Sequence, residues 1–128
     1  MYDYDYLKQK CHQKRIEIIK NFIFKYSKED SRILSIGCGT GLIEKQLQGN
    51  IQGLDKAKIE NALISVKQGE IEKMPFPDHS FDIIFIGELL EHIYDIKKAI
   101  NEVKRVLVEN GIVIITVPNV MNFRDRVR

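Results

Sequence analysis

Cysteine is scarce in this chain, with Cys 2 among 128 residues. Cys11 and Cys38 stand in unlike surroundings, at no spacing that suits a metal or redox pair. A disulfide scaffold is therefore excluded, and a reducing, cytoplasmic setting is expected. Long apolar runs are missing as well, since none approaches the roughly 18 residues that a membrane span needs. Met1 to Tyr6 carry two aspartates ahead of any apolar stretch, which is not how a secretory signal begins. Charge of one sign is absent too. Lys and Arg number 20 against 18 Asp and Glu, for a formal net charge of +2, so no nucleic-acid partner is expected. Arg124, Arg126 and Arg128 cluster locally and read as a solvated tail. The chain shows no internal repeat, low-complexity tract, P-loop, Ser-His-Asp order or metal-ligand cluster. One domain of ordinary globular composition is expected.

What is present is an alternation of elements. A helix is predicted from about Tyr6 to Tyr26, with Ile19, Phe22, Ile23 and Tyr26 at i, i+3, i+4 and i+7 and with Leu7 and Cys11 on the same side. After a polar break at Ser27 to Ser31, Arg32 to Ile36 reads as a buried strand, Gly37 to Gly41 as a glycine turn and Leu42 to Gln48 as a short helix. A second strand is expected over Ile51 to Leu54, ending at Asp55. Helical turns over Lys56 to Leu63 and a third strand over Ile64 to Lys67 follow. Pro75, Pro77 and Asp78 punctuate a loop. Phe81 to Ile86 is nearly all apolar, as a parallel strand covered on both faces should be. Asp95 can cap a helix with Ile96, Ala99, Ile100, Val103 and Leu107 on its inner face and Lys97, Lys98, Glu102, Lys104 and Arg105 on its outer one. Asn110-Gly111 should end that helix, and Ile112 to Val117 should form a fifth strand. Such an order predicts a doubly wound α/β sheet with right-handed crossovers. The single domain, 1–128, divides into a helical segment at 1–30, a core at 31–119 and a tail at 120–128.

The strongest local signal is Ile33-Leu34-Ser35-Ile36-Gly37-Cys38-Gly39-Thr40-Gly41, a strand running into a glycine turn. Without Cβ atoms the turn can be tight and a ligand can approach the backbone. In an open α/β sheet this turn lies at the switch point, where ligands bind. The dinucleotide fingerprint needs a further glycine at position 42, where this chain has Leu42. Here the sequence resembles the class I, Rossmann-like S-adenosylmethionine (SAM) dependent methyltransferases of the small-molecule type. The resemblance extends through "QGEIEKMPFPDHSFDIIFIGELLEHI" and "KKAINEVKRVLVENGIVIITVPN", covering about Arg32 to Asn119.

That resemblance implies a mostly parallel sheet of order 3-2-1-4-5, without the usual strands 6 and 7, and a SAM site with no metal. It places Gly37, Cys38, Gly39 and Gly41 at the cofactor, with Asp55 on the ribose hydroxyls and Lys56 beside it. Glu70 would meet the adenine amino group, Ile71 would pack beside the ring, and Ile86, Gly87 and Glu88 would lie at the end of the fourth strand. Ser35 stands where the family usually has Asp or Glu, near the cofactor's amino end. His92 is the candidate general base towards a small-molecule methyl acceptor, with packing as its plainer role, and Glu88 and Glu91 are weaker candidates. A SAM-binding protein without activity is the alternative, and a nucleotide-dependent oxidoreductase a more distant one. Cys38 is expected to be a small packed residue and His79 a solvent-facing one. With no sixth and seventh strands, the apolar fifth strand has an open edge, and a homodimer through that edge is expected.

Overall fold

The structure, a computed structural model, describes residues 4–87 and 93–116, with side chains from residue 13 on. The elements are α1 (Tyr4–Tyr26), β1 (Arg32–Ile36), a 3-10 turn at Glu44–Gln46, β2 (Asn50–Asp55), β3 (Ser65–Gln68), β4 (Phe81–Gly87), α2 (Ile96–Val106) and β5 (Leu107–Thr116). The sheet order is β3-β2-β1-β4-β5, and every neighbouring pair is parallel. The doubly wound α/β architecture and the strand order are therefore as expected.

Alternation along β1 and β4 decides what each helix covers. Ile33, Ile83 and Phe85 face one side and pack with Ile19 and Ile23 of α1. Leu34, Ile36, Ile84 and Ile86 face the other and pack with Ala99, Val103 and Val106 of α2. Successive strand side chains point to opposite faces, so a continuous apolar run is what a sheet covered on both sides requires. The loop after β3 closes the second layer with Ile71, Met74 and Phe76, and Phe76 meets Phe81 edge to face at 5.0 Å.

Both helices bury narrower stripes than their periodicity suggested. Phe22 and Tyr26 of α1 are exposed, and so are Ile96 and Ile100 of α2. On the predicted outer face of α2, Lys97, Lys98 and Lys104 are exposed as expected, but Glu102 and Arg105 are part-buried. The Glu102 carboxylate accepts hydrogen bonds from the Met74 amide at 2.7 Å and from Arg105 Nε at 2.7 Å. Arg105 also donates to the Phe76 and Met74 carbonyls and to Asp78. These two side chains tie the proline loop to the helix.

Three boundaries differ from expectation. Leu42 to Gln48 is not a helix but a single 3-10 turn, because Leu47 is already extended and Gly49, at φ 106°, turns the chain into β2. Lys56 to Leu63 forms no helix either. Most of its residues are exposed and Asn61 is left-handed at φ 55°, so no buried face supports so short a segment. Finally α2 stops at Val106, four residues before Asn110-Gly111. Leu107 instead pairs with Phe81, and the ladder resumes at Ile83 and Ile112, so Asn110 (φ 63°) turns inside an irregularity of the strand pair. The predicted tail, Val117, His92 and Glu88 lie outside the described residues.

Candidate cofactor site

Parallel strands that end together create the site. β1 stops at Ile36 and the chain turns sharply through Gly37 (φ 75°), Gly39 (φ 57°) and Gly41 (φ 86°). The Gly37 amide donates to the Leu54 carbonyl at 2.7 Å, which fixes the turn against β2. Asp55, the last residue of β2, holds it from the other side. Its Oδ2 accepts from the Gly39 amide at 2.9 Å and its Oδ1 from the Ala57 amide at 3.0 Å. Each carboxylate oxygen has a second lone pair, so capping the turn leaves Asp55 able to accept from a diol. A Cβ at Gly39 would meet nothing within 4 Å, so the space in front of this residue is open. Gly41 differs, since a Cβ there would come within 2.6 Å of Ile64 Cγ1.

Two cavities flank the turn. The larger, about 680 Å³, is lined by Asp55, Lys56, Glu70, Ile71 and, at its mouth, the fully exposed Tyr94. Lys56 Nζ lies 3.8 Å from Glu70 Oε1, and both side chains are exposed. The smaller cavity, about 430 Å³, lies between the turn and α1 and is lined by Arg15, Cys38, Glu44, Phe85 and Thr116. Gly37 and Gly87 line both, so the cavities lie side by side at the ends of β1 and β4 with these two glycines as their common wall. Ile86 is buried in the core instead, 3% exposed.

Ser35 and Glu44 form a buried polar pair beneath the smaller cavity, 1% and 3% exposed. The Ser35 hydroxyl donates to Glu44 Oε1 at 2.8 Å. The Cys38 thiol is half-buried, and its pKa is pushed up to about 11, first by burial and then by the Glu44 and Asp55 carboxylates. It is therefore protonated near neutral pH, as a packing residue and not a nucleophile. Among the described residues no group of His, Cys, Asp and Glu is placed to hold a metal ion. No helix among them is long and apolar enough to cross a membrane.

A methyltransferase-domain family matches residues 34–115, from within β1 into β5. The chain belongs to the class I SAM-dependent methyltransferase family. An uncharacterized methyltransferase of Schizosaccharomyces pombe is 34% identical over 122 residues, covering 76% of this chain and 43% of that protein. YcgJ of Bacillus subtilis, also named an uncharacterized methyltransferase, is 34% identical over 99 residues, with 64% and 38% covered. Its crystal structure superposes with a TM-score of 0.66 at 30% identity, covering 78% of this chain and 48% of that one. The PH0226 protein of Pyrococcus horikoshii shares the fold at a TM-score of 0.75 and 23% identity, with 91% and 62% covered. The chain thus spans less than half the length of these two curated relatives.

Within this methyltransferase domain, Gly37, Cys38, Gly39, Asp55, Lys56, Glu70, Ile71 and Gly87 come together around the two cavities. Gly41, Ser35 and Ile86 line neither. Sequence reasoning missed Glu44, Thr116 and Arg15. A serine where an acidic residue was expected was the one available hint that a carboxylate arrives from elsewhere.

Proposed function

We propose that this domain binds SAM across the ends of β1 and β4 and transfers its methyl group to a small-molecule acceptor. The observation that carries this reading is the pair of adjacent cavities that share Gly37 and Gly87 as walls, with Asp55 beside one and Glu44 beside the other. A nucleoside fits the larger, where Asp55 accepts from the ribose diol and Ile71 offers an apolar wall. Glu70 is released to an adenine amino group at little cost, because its exposed pairing with Lys56 is weak. An amino-acid end fits the smaller. The sulfonium of SAM supplies a methyl group on a good leaving group. The protein's task is then alignment and exclusion of water, and holding two reactants together is worth roughly 7–11 kcal/mol of barrier. In this proposal Gly87 leaves the space between the cavities open, Glu88 follows it in the sequence as a cofactor residue, and His92 serves as general base for the acceptor.

Cavities of a few hundred Å³ suit small molecules, and the net charge of +2 offers nothing special to nucleic acid. A cytoplasmic setting belongs to the same proposal, supported by the free Cys38 thiol. So does self-association through the outer edge of β5. The experiment for the cofactor is a thermal-shift series with S-adenosylhomocysteine (SAH), SAM and NAD. SAH at a hundredfold its dissociation constant should stabilise the fold by about 2.7 kcal/mol, and NAD should not. A shift with NAD and none with SAH would remove the reading.

A further inference from the structure

We infer that Glu44 is the anion that receives the ligand's ammonium group in the smaller cavity, and that Ser35 is its positioning residue. The inference rests on the SAM reading above and assigns one end of that ligand. Glu44 opens the 3-10 turn that follows the glycine turn, yet its side chain is 3% exposed. Its one hydrogen-bond partner among the described residues is the Ser35 hydroxyl, at 2.8 Å. No ion pair of the described residues reaches it. A carboxylate taken out of water with one neutral donor is poorly compensated, and buried charges are ordinarily paired. The missing partner should be a cation with N–H donors, and Glu44 lines an open cavity of about 430 Å³ that can admit one.

A second group in that cavity points the same way. Thr116 Oγ1 is buried and makes no hydrogen bond among the described residues, and it lines the same walls as Glu44. An acceptor carboxylate and an idle hydroxyl on the walls of one small cavity, with Arg15 also lining it, suit the doubly charged end of an amino acid, its ammonium on the Glu44 side, and not an apolar group. Gly37 and Gly87 also line the larger cavity, where Asp55 lies. A ligand with a nucleoside at one end and an ammonium at the other spans both. Ser35 can donate only one hydrogen bond, to Oε1, which leaves Oε2 for the ligand.

The test compares SAH with 5′-methylthioadenosine, which keeps the nucleoside and lacks the amino-acid end. Calorimetry is run on the wild-type chain, Glu44→Gln and Ser35→Ala. Glu44→Gln preserves the shape and the Ser35 hydrogen bond and removes only the charge. It should weaken SAH by about tenfold to a hundredfold, the range for a charged hydrogen bond, and leave methylthioadenosine within about twofold of wild type. Ser35→Ala should shift the same SAH-to-methylthioadenosine ratio in the same direction by less. The melting temperature of ligand-free Glu44→Gln should hold or rise, because an uncompensated buried charge is gone. Unchanged SAH affinity overturns the inference, and so does an equal loss of both ligands. A wild-type chain that binds neither ligand defeats the SAM reading itself, and this inference with it.

Discussion

The Asp55 carboxylate reaches back from the end of β2 to accept the Gly39 amide at 2.9 Å, while its other oxygen accepts the Ala57 amide at 3.0 Å. One side chain thus shapes the glycine turn and faces the larger cavity. Asp55→Ala should therefore do two things. SAH affinity should fall by about 1–3 kcal/mol, for the lost charged hydrogen-bond partner. The turn should also loosen, seen as faster exchange of the Gly39 amide. An affinity equal to wild type in calorimetry would leave Asp55 as a capping residue alone.

At Gly39 the two demands separate. Its φ of 57° disfavours any side chain, but a Cβ would touch no protein atom within 4 Å. Gly39→Val should fold with a stability loss of about 1–2 kcal/mol, the cost of left-handed backbone for an L-residue. Its side chain would stand in the open space where a ligand approaches, so SAH should no longer shift its melting temperature. A variant that still binds SAH normally would take the glycine turn out of the site.

Cys38 makes a chemical prediction. With its pKa raised to about 11 by burial and two carboxylates, the thiolate population near neutral pH is very small. In a Cys11→Ser background, iodoacetamide at pH 7.5 should label Cys38 at least tenfold more slowly than the same thiol in urea, given a free thiol pKa of about 8.5. Labelling at the unfolded rate would mean that the thiol is neither buried nor faced by Glu44 and Asp55.

The clamp between α2 and the proline loop is pH-dependent. Hydrogen bonding from Arg105 holds the Glu102 carboxyl below its ordinary range, against an opposing contribution from burial. A carboxylate depressed in the folded state stabilises above its unfolded pKa, about 4.3, and that contribution is lost as pH falls through the folded value. Glu102→Gln should cost about 1–3 kcal/mol at pH 7. The difference from wild type should shrink as pH falls below about 4. A gap in melting temperature that stays constant from pH 7 to pH 3 would exclude the ion pair as its cause.

These cases show which parts of the molecule the sequence exposes. β1, β4, the glycine turn and Asp55 are legible because they depend on local patterns: an apolar run buried on both faces, closely spaced glycines, an acid at a strand end. The short helices expected after Gly41 and after Asp55 were read from residue type alone; the first packs Ile43 and Leu47 on the core but is cut to one turn where Leu47 extends and Gly49 redirects the chain, and the second has no buried face to support it. Asn110-Gly111 looks like a helix end because it takes the left-handed conformation, but the pairing of Leu107 with Phe81 had already claimed the chain for the sheet. Glu44 was illegible for another reason. Its burial depends on Ser35, nine residues earlier on a different element, and no period within its own segment turns it inward.

The outer edge of β5 supports the last prediction. Among the described residues no strand pairs with it. Val113 and Ile115 pair in register with Ile84 and Ile86, so they share the face that α2 covers over the centre of the sheet. There α2 protects β4, yet Val113 and Ile115 stay 36% and 48% exposed. Ile96 and Ile100 of α2 are exposed as well. An open strand edge beside exposed apolar side chains favours pairing with another chain. In solution this 128-residue chain should therefore form a homodimer, with two-fold contact as the default geometry. Ile115→Lys places a charge beside that edge without touching either buried cluster, and it should shift the chain towards monomer while leaving SAH binding intact. Sedimentation over a concentration series reads both proteins. A wild-type chain that stays monomeric at high micromolar concentration, with the β5 amides protected from exchange, would show that the edge is covered from within the chain.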